Sequence, residues 1–71
     1  MPRYFFHVKR GQMTVLDQEG IELVDAVQAE VEAARRAQQI VTSDASNGVS
    51  VSRGTIIVDD ENWRRLFELS F

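Results

Sequence analysis

Residues 3–16 read RYFFHVKRGQMTVL, and the way this stretch turns back on itself decides the architecture. From residue 3 to 9 the side chains alternate. Tyr4, Phe6 and Val8 fall on one side and Arg3, Phe5, His7 and Lys9 on the other, the period of a strand. Arg10, Gly11 and Gln12 make a tight turn around a glycine, and Met13 to Leu16 returns as a second strand, so the chain opens with a hairpin. Asp17-Gln18-Glu19-Gly20 then breaks the pattern with turn chemistry.

From Asp25 the period becomes that of a helix. Val27, Val31, Ala34, Ala37 or Gln38, and Val41 recur at spacings of three and four, which predicts one apolar stripe turned toward the sheet. Asp25 is placed to cap the first turn, with Gln28 at the reciprocal position of a capping box. Early acids (Asp25, Glu30, Glu32) and later bases (Arg35, Arg36) suit the helix dipole, and Glu32 with Arg36 forms an i to i+4 pair. At about 1.5 Å per residue the segment from Asp25 to Ser46 spans roughly 33 Å, longer than the strands, so its last turns are expected to overhang. Asn47-Gly48 ends it.

Residues 49–53 read as loop or as an extended lead-in. Thr55 to Val58 is a strand by its β-branched content, Asp59 to Trp63 is a turn with Asn62 as its left-handed residue, and Arg64 to Phe71 is the last strand, with Arg65, Phe67, Leu69 and Phe71 on one face. The expected fold is a single small α+β domain over residues 1–71, β-β-α-β-β: a four-stranded antiparallel sheet with one helix packed on one face.

The expected core collects Tyr4, Phe6, Val8, Leu16, Ile56, Val58, Phe67, Leu69 and Phe71 under Val27, Val31, Ala34 and Val41. The open face then receives Arg3, Phe5, His7, Lys9, Thr55, Ile57, Arg64, Leu66, Glu68 and Ser70, a mixture of apolar and cationic groups on what is normally a polar surface. Three readings follow. Scattered exposed apolar residues are ordinary. An open face or an exposed strand edge also pairs two copies, or binds a protein partner, and Phe5, His7, Ile57 and Leu66 are then the contact residues. Finally, aromatics beside cations form a platform for single-stranded nucleic acid, through Arg3, Phe5, Lys9 and Arg64.

Composition weighs against the last reading. Eight Lys and Arg against 11 Asp and Glu leave a formal charge of −3, which repels a polyanion at long range. There is no cysteine, so disulfide frameworks, thiolate metal clusters and thiol nucleophiles are excluded. No signal-like or membrane-spanning apolar run appears, and a cytoplasmic location is the expectation. His7 is the one histidine, between Phe6 and Val8, a setting that suits a packing residue better than a ligand or base. The acidic turns Asp17-Gln18-Glu19 and Asp59-Asp60-Glu61 lack the ligand spacing of a calcium loop. No nucleophile elbow, phosphate-cradling glycine loop or dinucleotide fingerprint is present. The expectation is a non-catalytic chain with no cofactor and no metal, whose partner is a protein, foremost a second copy in a homodimer.

The opening Met1-Pro2-Arg3-Tyr4-Phe5-Phe6-His7-Val8, then Asp17-Gln18-Glu19-Gly20-Ile21-Glu22-Leu23 and an Ala-rich helix, resembles a family of short alphaproteobacterial proteins known only as a domain of unknown function. Members of that family often carry Pro before the capping Asp, where this chain has Val24, and Gly in the last turn, where it has Asn62. The resemblance implies no activity and no site residue. The hairpin, glycine turn and Ala-rich helix are also similar, more weakly, to the partial RNase H-like domain of certain antitoxins. That domain places a third strand before its helix, so the expected strand order differs, and the likeness implies only an alternative class of function, a module that binds another protein.

Overall fold

Alternation of aromatic and polar side chains produces the central strand of the sheet. In the computed structural model, which describes residues 1–50 and 52–71, β1 (Arg3–Arg10) has neighbours on both edges. Gly11 and Gln12 turn the chain into β2 (Met13–Val15), with Arg10 opposite Met13 and Gly11 at φ 60°. A glycine at the first of two loop positions is what mirror-image hairpin turns favour. The second strand is one residue shorter than its sequence reading, since Leu16 leaves the ladder.

A third strand went unread in the sequence. β3 (Ile21–Glu22) pairs antiparallel with Arg3 and Tyr4, on the same edge of β1 that carries β2 opposite Val8 to Arg10. β2 and β3 are thus one edge strand interrupted by the 16–20 loop. This corrects the expected order to β-β-β-α-β-β.

The helix α1 (Ala26–Ser46) starts and stops where its caps predict. The Asp25 carboxylate accepts the Gln28 N–H at 3.0 Å, and Gly48, at φ 83°, donates its N–H to the Ala45 carbonyl. Glu32 accepts from Arg36 at 2.7 Å as its spacing requires, and from Arg35 as well. The helix dipole is complemented only at the cap: no acid lies in the first turn and no base in the last. The final helical turn is tied to the sheet, because Arg10 at the end of β1 ion-pairs with Asp44.

The helix is rotated from the expected orientation. Its buried residues are Ala29, Ala33 and Ala37, whereas Val27 and Val31 are 61% and 59% exposed and Ala34 and Val41 are exposed too. Alanines at a spacing of four let the helix lie close against Tyr4, Phe6, Ile56 and Val58, with Val8, Ile21, Leu23, Phe67, Leu69 and Phe71 around them. Valines in that stripe would hold the helix off the sheet. Leu16, also assigned to the core, is exposed.

Residues 49–53 include Val51, which lies outside the described residues; the other four form neither strand nor helix. β4 (Thr55–Asp59) pairs antiparallel with β1, and β5 (Arg65–Ser70) with β4, giving the order β2-β1-β4-β5. Mutual backbone bonds between Gly54 and Phe71 extend the last pairing by one residue. A bulge opposite Val58 and Asp59 inserts Leu66, so Arg65 pairs with Asp59 on the open face and not, as its parity suggested, beside Phe67. No helix among the described residues is long and apolar enough to cross a membrane.

Candidate functional site

The open face of the sheet is assembled from register. Phe5 lies opposite Asp59, His7 opposite Ile57 and Lys9 opposite Thr55, while Glu68 and Ser70 of β5 follow Ile57 and Thr55. On this face, His7, Lys9, Ile57, Asp59 and Arg65, with Leu16 and Asp17 of the interrupted edge and Trp63 of the last turn, line a groove of about 660 Å³. That volume lies in the range of small-ligand and peptide-anchor sites.

Asp17 organises one wall. Where β2 stops and β3 has not begun, the Phe6 N–H loses its ladder partner, and the Asp17 carboxylate accepts it at 3.0 Å. The other carboxylate oxygen accepts from the backbone of Glu19 and Gly20, which closes the loop on itself. Burial opposes the charge on Asp17, but the Gly20, Phe6 and Glu19 amides and the nearby Arg36 guanidinium hold its carboxyl below the usual carboxylate range. Gly20 is at φ 69°, and a Cβ there would meet Arg3 Cγ, Phe5 Cε1 and the Tyr4 carbonyl oxygen at 2.9 Å, so the loop requires glycine.

His7 forms the floor, and both ring nitrogens are engaged. The Asp17 N–H donates to Nδ1 at 3.0 Å, which leaves that nitrogen without a proton, and Nε2–H donates to the Asp59 carboxylate at 3.1 Å. The histidine is 7% exposed and links the edge loop to β4. Such an imidazole is a structural clasp between the 16–20 loop and β4. Among the described residues no group of three His, Asp or Glu side chains is arranged to hold a metal ion.

The other wall is Trp63. The Asp60 carboxylate accepts the N–H of Asn62 at 2.8 Å and of Arg64 at 2.9 Å, and the Asp60 carbonyl accepts the Trp63 N–H. This wrapping puts Trp63 itself at φ 62°, the left-handed region expected for Asn62. Bulky residues rarely occupy that region, and strain of this kind collects at functional sites. The indole stacks on Phe5, ring centroids 4.7 Å apart, and stays 65% exposed.

The residues singled out from the sequence are therefore distributed unevenly. Ile57 and Lys9 line the groove, His7 lies beneath its surface, and Phe5 is only 8% exposed, under Trp63 and the Gly20 loop. Leu66 is exposed but outside the groove, at the bulge. Of the residues named for nucleic acid, Arg3 is engaged by Glu22 and the Glu19 carbonyl, Phe5 has no free ring face for a base, and Arg64 belongs to the turn. Trp63 and Leu16 were missed, one read as a turn residue and the other as core. A tryptophan after an Asp-Asp-Glu-Asn turn is the signal the sequence offers.

A family described as a domain of unknown function, DUF6894, matches residues 3–71. The chain belongs to that family. No curated protein and no solved structure matches this DUF6894 domain. The groove therefore has to be read from its own geometry.

Proposed function

We propose that this domain is a non-catalytic protein-interaction module, and that the groove on its open sheet face receives an apolar side chain of a partner protein. Trp63 carries the reading: a large aromatic in a strained backbone, stacked on a buried phenylalanine and still mostly exposed, has the character of a preorganised binding anchor. Leu16 stands exposed in the facing wall, Ile57 supplies an apolar floor, and Lys9 lies at the rim, while the Arg65 guanidinium there is paired with Glu68 at 2.8 Å. The polar groups beneath are already spent on one another, since no buried side-chain nitrogen or oxygen among the described residues lacks a partner. The groove thus offers mainly contact area, and favours a partner segment with an apolar anchor. Phe5 and His7 serve it indirectly, by supporting Trp63 and Asp17.

The experiment compares proteins captured from a nuclease-treated cell lysate by the unaltered domain, by Trp63→Gly and by Leu16→Ser, each shown to be folded. The expected result is a protein retained by the unaltered domain and lost from both variants. Capture that ignores both substitutions refutes the reading. Single-stranded RNA binding that is lost steeply with salt would replace it with the nucleic-acid alternative.

A further inference from the structure

The rotation of α1 leaves an apolar seam exposed among the described residues. Val27, Val31, Ala34, Gln38, Val41 and Ala45 follow one another at spacings of four, three, four, three and four, the a and d positions of a heptad, and all six are exposed. At about 100° per residue this seam lies roughly 120° around the helix from the Ala29, Ala33 and Ala37 stripe that meets the sheet. The seam and the sheet contact do not compete. Valine is also a poor choice for a solvated helix position, because branching at Cβ restricts its rotamers there, and three in register need a reason.

We propose that the seam pairs with the same seam of a second copy of this chain, the two helices lying parallel about a two-fold axis. Three features select that occupant. The a and d pattern is self-complementary, as an isologous contact requires. In the parallel arrangement Glu30 and Arg35 stand at the flanking g and e positions, so Glu30 of each copy faces Arg35 of the other and the symmetry makes the ion pair twice. Arg35 donates to Glu32 through Nε and one terminal nitrogen, which leaves its other terminal nitrogen for the second carboxylate. Gln38, the one polar residue in the seam, meets its own counterpart, where two amides satisfy each other and set the register. An antiparallel pairing brings Glu30 toward Ala37 and Arg35 toward Gln28, and forfeits both the charge match and the amide pair.

This contact is independent of the open-face groove, and its test keeps the two apart. Molar mass is measured by light scattering across a concentration series for the unaltered chain, Val31→Glu and Trp63→Gly. The expected outcome is a reversible dimer that Trp63→Gly retains and that Val31→Glu weakens by about tenfold or more, with unchanged far-UV circular dichroism. Because the chain has no cysteine, Gln38→Cys reads the register: a parallel pair joins through a disulfide when an oxidant is added. A monomer at every concentration, or a dimer lost with Trp63→Gly but not with Val31→Glu, overturns the proposal. A dimer broken by Val31→Glu in which Gln38→Cys does not cross-link overturns the parallel arrangement.

Discussion

Trp63 lies on Phe5 with ring centroids 4.7 Å apart and planes 28° from parallel, so the only described non-glycine residue at positive φ is also the cover of a buried aromatic on the open face. The backbone strain and the stack oppose each other, and substitution separates them. Trp63→Ala removes the stack and keeps a side chain in the left-handed region. Trp63→Gly removes the stack and the strain together. The glycine variant is expected to be the more stable of the two by about 1 kcal/mol, read from urea unfolding followed by far-UV circular dichroism because the only tryptophan is gone. Equal stabilities would mean that the turn around Asp60 accommodates the residue without strain.

Gly20 and Gly11 have nearly the same φ, 69° and 60°, and different surroundings. A Cβ at Gly11 meets nothing within 4 Å, whereas one at Gly20 runs into the Tyr4 carbonyl oxygen and two side chains at 2.9 Å. Gly11→Ala should cost about 1–2 kcal/mol from conformation alone. Gly20→Ala should cost about 1–3 kcal/mol more, since the carbonyl belongs to the central strand and cannot move aside. Similar unfolding midpoints for the two variants would contradict the close approach of the 16–20 loop to β1.

What could be read beforehand, and what could not, has physical causes visible in single residues. The β1 alternation assigned Tyr4, Phe6 and Val8 to one face and Phe5, His7 and Lys9 to the other, and pairing with β4 keeps that parity. β3 is two residues long, too short for any periodicity. The helix boundaries were legible because Asp25 and Gly48 have local conformational roles, but its rotation was not, because alanine carries little hydrophobic signal and valine much. The stripe with the stronger apolar pattern is the one left exposed. At the groove, parity located Ile57 and Lys9 but said nothing of Trp63, whose position depends on how Asp60 wraps the turn.

The helix rotation itself is open to test by stability. Ala33 is fully buried against the sheet and Val31 is 59% exposed. Ala33→Leu should therefore destabilise by about 1–3 kcal/mol through overpacking. Val31→Ser should stay within about 0.5 kcal/mol of the unaltered chain, measured at concentrations where the chain is monomeric. The opposite order of effects would restore the valine stripe to the core.

Acid should unfold the domain through its paired carboxylates, and the sign follows from their environments. Hydrogen bonds from Arg35, and beyond the opposing cost of burial those from Arg36, lower the Glu32 carboxyl from an ordinary 4.5 to about 2. Asp17 is lowered too, by backbone amides that outweigh its burial, and the Arg10 guanidinium with the Ser52 hydroxyl lowers Asp44. A carboxyl lowered by folding contributes its full stabilisation above its unfolded value and loses it as the pH falls toward its folded one. Stability is therefore expected to be flat on this account from pH 7 to about 5.5, and to decline between about 4.5 and 2. Glu32→Gln should lower stability at neutral pH and flatten that decline. Asp17→Ala, which also strands the Phe6 N–H, should cost about 1–3 kcal/mol at neutral pH and flatten it as well. An acid limb unchanged in both variants would show that neither carboxylate is held by the partners assigned to it.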